Sequence, residues 1–198
     1  MDASAWDRRY AESELLWSAE PNRFVAAELA DLAPGRAVDL AAGEGRNAIW
    51  LASRGWRATA VDFSPVAIDK GRRLAEAAGV HVDWVVADLL EHVPEPAGFD
   101  LVLVAYLQLP PEQLGAVLGR AVRAVAPGGM LLVVGHDATN LSDGVGGPQD
   151  PDLLYTPESI ATRLGGLRVG RADRVRRPVP GAEREAIDTL VRAHRPAP

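Results

Sequence analysis

Short apolar runs that alternate with helix-period segments constrain this chain more than any other feature. The runs are residues 37–40, 58–61, 82–86, 101–105 and 130–134, and several are apolar on both faces. A strand tolerates that only where both faces are covered, as in a parallel sheet between helices. Between the runs, Ser64 and Pro65 start a helix as N-cap and first helical residue, and Gly79 stops it. From Pro111 onward, Leu114, Val117, Leu118, Ala121, Val122 and Val125 make one apolar stripe that ends at Pro127-Gly128-Gly129. Residues 47–53 and 21–32 read as two further helices. Strand–helix–strand repetition predicts right-handed βαβ units, and so an α/β fold.

The last third differs. Residues 137–152 are rich in Gly, Pro, Asn and Asp, too long for a neutral connector, and suggest a lid or binding loop. Thr156-Pro157 opens a short helix that closes at Gly165-Gly166. Two extended segments, 167–175 and 186–194, follow with no helix between them, which predicts an antiparallel pair at the sheet edge. Residues 195–198 read as a frayed tail.

Composition narrows the classes. A chain of 198 residues predicts one domain. Its formal charge of −6 disfavours phosphate-backbone binding, so no nucleic-acid partner is expected. The absence of cysteine removes disulfides, thiol nucleophiles and thiolate metal sites. The longest apolar run, 101–107, is far below the ~20 residues of a membrane span. Asp2, Asp7, Glu12, Glu14 and Glu20 leave no apolar leader region. A cytoplasmic protein without a membrane partner, monomer or homodimer, is the expectation.

The segment Val38-Asp39-Leu40-Ala41-Ala42-Gly43-Glu44-Gly45-Arg46-Asn47-Ala48 runs from a buried strand through a glycine turn into a helix. Small residues let a ligand approach the backbone, and the helix start offers amides and a positive dipole. Gly43, Gly45 and Ala48 also satisfy the dinucleotide fingerprint, which keeps a nicotinamide cofactor open. Asp62 ends the second run, nineteen residues after Gly43, where a carboxylate accepts ribose hydroxyls. Either cofactor would use it. Ala87-Asp88-Leu89 follows the third run; there an acid can accept from an adenine amino group.

With Phe99-Asp100-Leu101-Val102 and Ala126-Pro127-Gly128-Gly129 added in order, residues 36–136 resemble the class I S-adenosylmethionine-dependent methyltransferases. Within them, Trp6-Asp7-Arg8-Arg9-Tyr10, Trp17 and Pro21 are similar to the N-terminal extension of small bacterial members related to tellurite-resistance and thiopurine methyltransferases. The resemblance implies a single-domain, doubly wound, Rossmann-like sheet of seven strands, order 3-2-1-4-5-7-6, with strand 7 antiparallel. It divides the chain into a helical extension or cofactor lid (1–33), a cofactor core (36–136), a substrate loop (137–155) and a C-terminal helix with antiparallel strands (156–198). It implies S-adenosylmethionine as cofactor and S-adenosylhomocysteine as product; no metal is expected, because an Asp137/Asn140 pair would give Mg²⁺ only two oxygen ligands from one loop. Asp39, Gly43 and Gly45 would line the methionine and ribose, with Asn47 beside them. Asp62 would take the ribose diol, Phe63 the adenine face, Asp88 and Leu89 the adenine edge and face, and Ala105 the methionine amino group. Arg9 and Trp17 would close over the cofactor. One departure is Ala41, which replaces the family's first glycine and narrows the room for the methionyl tail.

The acceptor belongs beyond the carboxyl ends of the strands. Of four histidines, His136 alone follows a central strand directly, beside Asp137 and Asn140. We therefore expect His136, Asp137 and Tyr106 to be catalytic, with Gln108, Asn140 and Tyr10 binding the acceptor. A loop-bracing histidine is the competing reading. For function, the expectation is methyl transfer to a hydroxyl of a small metabolite or sugar. An NAD(P)-dependent reductase or a non-catalytic cofactor-binding module are the alternatives. Against the reductase, the single lysine, Lys70, belongs to no Tyr-x-x-x-Lys pair.

Overall fold

A computed structural model describes residues 3–197. The strands are β1 (Arg36–Leu40), β2 (Arg57–Asp62), β3 (Val82–Val86), β4 (Phe99–Ala105), β5 (Val125–His136), β6 (Arg168–Arg177) and β7 (Ala186–His194). They form one sheet in the order β3-β2-β1-β4-β5-β7-β6. β1 pairs in parallel with β2 and β4, while β7 runs antiparallel to both β5 and β6. The order and the antiparallel strand are as expected. Met1, Asp2 and Pro198, the outer ends of the lid and C-terminal segments, lie outside the described residues.

Strand alternation sends successive side chains to opposite faces, and each face has its own core. Val38, Leu40, Val102, Val104, Leu131 and Val133 pack against Leu114, Val117 and Leu118 of α5 (Pro111–Ala124). The intervening residues Ala37, Leu101, Leu103, Met130, Leu132 and Val134 meet Val25 and Leu29 of α2 (Arg23–Leu29) and Ala48 and Leu51 of α3 (Arg46–Ser53). Each such leucine or valine stabilises the fold by about 1.5–3 kcal/mol relative to exposure. α1 (Ala3–Ala11) opens the chain. α4 (Pro65–Ala77) is capped by the Ser64 hydroxyl, which accepts from the Ala67 amide.

Three local expectations change. The Pro127-Gly128-Gly129 turn lies inside the early part of β5, which begins directly after α5. Residues 137–152 contain a short helix, α6 (Asn140–Asp143), and precede α7 (Pro157–Ala161). Finally, Arg195 is held firmly: its amide donates to Gly129 O and its guanidinium to Val122 O and Val125 O. The frayed-tail expectation is therefore wrong there. Among the described residues, no helix is long and apolar enough to cross a membrane.

Candidate functional site

The sheet order reverses between β1 and β4, and at the carboxyl ends of these strands lies a crevice of about 660 Å³. Its floor is the turn after β1 (Ala41, Ala42, Gly43), Asp62 and Phe63 after β2, and Ala105 to Leu109 after β4. His136 joins from β5, and Trp6, Arg9, Tyr10 and Trp17 cover it from the N-terminal side. The opposite wall is residues 145–148 with Arg177 and Val179.

The turn after β1 is strained on purpose. Ala41, Gly43 and Gly45 all have positive φ, of 65°, 57° and 76°. For alanine that conformation costs about 1–2 kcal/mol. At Gly43 a Cβ would lie 2.8 Å from the Tyr10 hydroxyl, so only glycine fits. Gly45 is small for a different reason, since a Cβ there would collide with the Trp84 ring. It does not line the crevice.

Asp62 fixes the turn. Its Oδ2 accepts from the Gly43 amide at 2.8 Å and its Oδ1 from the Ser64 amide at 2.9 Å. Burial nevertheless raises its pKa, outweighing these bonds. Each oxygen keeps a lone pair, so a ligand diol can still be accepted. Asp39 is 1% exposed, and neither carboxylate oxygen finds a hydrogen-bond partner among the described residues. Burial, offset only partly by Arg46 and reinforced by Asp62, pushes its pKa up to about 7. An orphaned buried acid next to a glycine turn suits a ligand that brings an ammonium group. Together with the Gly43 cradle and Asp62, the donor set fits a nucleoside with an amino-acid tail.

The same acid makes a prediction. Its folded pKa lies above the unfolded one, so Asp39 costs increasing stability as pH rises from about 4 towards 7. Asp39→Asn removes that cost. Denaturant titration without ligand should show its stability advantage over the native chain growing by about 2 kcal/mol between pH 5 and pH 8. An advantage that is flat with pH would mean the carboxyl is already ionised in the fold.

The N-terminal segment is latched by a group that sequence reading missed. Glu44, 2% exposed, accepts from the Leu16 amide at 3.0 Å and the Trp17 amide at 3.2 Å. It also pairs with Lys70 at 3.3 Å, and Lys70 donates to the carbonyls of Tyr10 and Ser13. That holds Tyr10 and Trp17 beside Gly43.

Around His136 the structure reassigns partners. Its Nδ1 lies 3.2 Å from Asp188 Oδ1, close enough for a charge pair though not aligned as a hydrogen bond. Hydrogen bonds at such sites often align only when substrate is bound. Asp188 Oδ2 accepts from the Tyr106 hydroxyl and from Arg177 Nε, both at 2.8 Å. The Asn22 amide donates to the same Tyr106 hydroxyl at 3.2 Å. Tyr106 itself has φ 57°, a strained conformation for so bulky a residue, and its ring meets His136 edge-on at 4.9 Å. Burial raises the Tyr106 pKa to about 12, with Asp188 adding to the effect, so the hydroxyl stays protonated at neutral pH.

Of the expected site residues, Arg9, Tyr10, Trp17, Gly43, Asn47, Asp62, Phe63, Ala105, Tyr106, Gln108 and His136 come together at the crevice. Asp137 does not: it is fully buried and its oxygens accept from Thr139, Arg174 and Thr189, which makes it a brace. Asn140 also stays out, its amide bonding Val145 O and Gly146 O and its oxygen taking the Ile187 amide. Leu89 is packed in the core, and Asp88 is exposed, accepting from the Leu90 amide. Sequence reading missed Asp188, Arg177, Arg46 and Arg23. An acid within the apolar run Ala186-Ile187-Asp188-Thr189-Leu190 was the available signal for the first.

Comparison with known proteins places this geometry. The family described as "Methyltransferase domain" matches residues 37–129. A demethylmenaquinone methyltransferase of Thermus thermophilus is 39% identical over 105 residues, covering 52% of this chain and 47% of that protein. The chain spans about half the length of the first curated relatives it matches. A solved structure described for the conversion of a disulfide bond into a thioacetal group during echinomycin biosynthesis shares the fold. Its TM-score is 0.79 at 24% identity, over 98% of this chain and 91% of that one. The N-methyltransferase NodS of Bradyrhizobium japonicum, solved with S-adenosylhomocysteine, does so with TM-score 0.72 at 23% identity, over 99% and 100% of the two chains. With the seven-strand order, the glycine turn and the Asp62 cradle, these likenesses show the fold of the class I S-adenosylmethionine-dependent methyltransferases and a methyltransferase-domain match over residues 37–129, and so support the resemblance read from the sequence.

Proposed function

We propose that this protein transfers the methyl group of S-adenosylmethionine to a hydroxyl of a small polar molecule, with His136 as general base. The observation that carries the reading is His136 at the carboxyl end of β5, lining the crevice with Asp188 at 3.2 Å behind it. When bound, S-adenosylmethionine supplies a sulfonium methyl carbon open to attack in line with its bond to sulfur, and sulfur keeps the bonding pair. The residues suited to hold it are Gly43 and Asn47 in the turn, Asp62 for the ribose diol and Phe63 for the adenine. Asp39 and the Ala105 carbonyl suit the methionine ammonium, and Arg9 and Trp17 cover it.

His136 accepts the proton of the acceptor hydroxyl as the oxygen takes the methyl group. Asp188 stabilises the imidazolium that results, and Tyr106 and Gln108 orient the acceptor. The covered crevice excludes water, and positioning supplies much of the rate. Lys70, tied to Glu44 and two backbone carbonyls, has no role in the chemistry. A cytoplasmic enzyme, monomer or homodimer, that acts on free small molecules completes the reading.

The test is a panel of aromatic and aliphatic acceptors in matched hydroxyl, amine and thiol forms. S-adenosylhomocysteine formation is followed, and the added methyl is located by mass spectrometry. Methylation at oxygen is the expected outcome. Turnover confined to nitrogen, sulfur or carbon acceptors overturns the hydroxyl assignment.

A further inference from the structure

We infer that the methyl acceptor is an anion, a carboxylate or phosphate on a small apolar body, received by Arg23 and Arg177. The inference rests on the methyl-transfer reading and specifies its substrate class. The chain carries a net charge of −6, yet the crevice is lined by Arg9, Arg23, Arg46 and Arg177 against a single lining carboxylate, Asp62. Asp188 offsets part of Arg177, and Asp39 lies near enough to Arg46 to offset part of its charge. Arg9 and Arg23 have no ion pair among the described residues; each lies over an aromatic ring, Trp6 at 5.0 Å and Phe24 at 5.7 Å.

The methyl donor does not correct this imbalance. With a sulfonium, an ammonium and one carboxylate, it adds one further positive charge. The balancing anion must come with the other substrate, because like charges gathered in a partly dry site repel strongly. Placement says where it sits. Arg23 opens α2 and Arg177 closes β6, and both line the crevice together with Tyr106, Leu107, Leu109 and Val179. Arg177 holds Asp188 through Nε and lies over the Tyr106 ring at 5.9 Å, and a guanidinium is a planar donor group that matches a carboxylate or phosphate. The apolar neighbours suit the body of the molecule.

The experiment is calorimetric titration of the S-adenosylhomocysteine complex with benzoate, phenyl phosphate, benzamide and benzyl alcohol. At least one anion should bind 10-fold or more tightly than benzamide, and the tighter anion identifies the headgroup. Arg23→Gln and Arg177→Gln should each shrink that preference at least fivefold. Should Arg177→Gln fail to fold, Arg23→Gln decides. Equal binding of benzamide, or no binding of either anion, overturns the inference. The two readings fail separately: a chain that does not bind S-adenosylhomocysteine at all sinks the methyl-transfer reading. The anion series, repeated on the ligand-free protein, still judges the charge.

Discussion

Asp62→Ala should remove measurable S-adenosylhomocysteine binding, with a loss of at least ~10²-fold in affinity. Hydrogen bonds to a charged acceptor are worth about 1.5–3 kcal/mol each, and a ribose diol presents two hydroxyls to the carboxylate. The variant also loses what Asp62 already does, since the Gly43 and Ser64 amides both donate to it. Two buried amides left without partners cost about 1–3 kcal/mol each, so the melting temperature should fall as well. Asp62→Asn separates the two effects. It keeps an oxygen for one amide and so retains more stability, but it offers the diol a neutral, half-occupied acceptor. Calorimetry checks affinity, and thermal unfolding without ligand checks the fold. Affinity within threefold of the native chain in Asp62→Asn would exclude Asp62 from the cofactor site.

His136→Ala should lower turnover by at least ~10²-fold while cofactor affinity barely moves, since general-base contributions are typically ~10²–10⁴-fold. Turnover should also depend less on pH in the variant, since the general base is gone. Asp188→Asn should lower turnover too, by a smaller factor, because it leaves the ring in place and removes only the charge that stabilises imidazolium. Asp137→Asn is the informative contrast: Asp137 bonds Thr139, Arg174 and Thr189 away from the crevice, so it should cost stability more than it changes the pH profile. A drop below tenfold in His136→Ala would mean that proximity alone carries the reaction and that the histidine braces the loop.

Much of the frame was legible in the amino-acid order, because the signals involved are local. Runs such as Leu101-Val102-Leu103-Val104 are apolar at every position, and only a strand covered on both faces satisfies that. Ser64-Pro65 and Thr156-Pro157 mark helix starts, and in the structure both hydroxyls accept helix amides. Gly43 and Asp62 stand out in the sequence as a glycine turn and a strand-end acid, and the fold joins them by one hydrogen bond. The helix-free passage from 175 to 186 required an antiparallel pair, which is what β6 and β7 form.

The partners across the sheet were decided by the tertiary structure alone. In sequence Asp137 is the acid next to His136, but neighbours on an extended chain point to opposite sides. Asp137 therefore turns inward to Thr189 and Arg174, and His136 turns to the crevice. The β5–β7 register then sets Asp188 directly opposite His136, across fifty-two residues of chain. Register depends on how two strands and the loop between them pack, and no local pattern encodes it. The same holds for the Glu44 latch and for the presence of Arg23 and Arg177 in the lining of one crevice. Sequence determined which strands exist and where the glycine turn lies; packing determined which charges line the crevice.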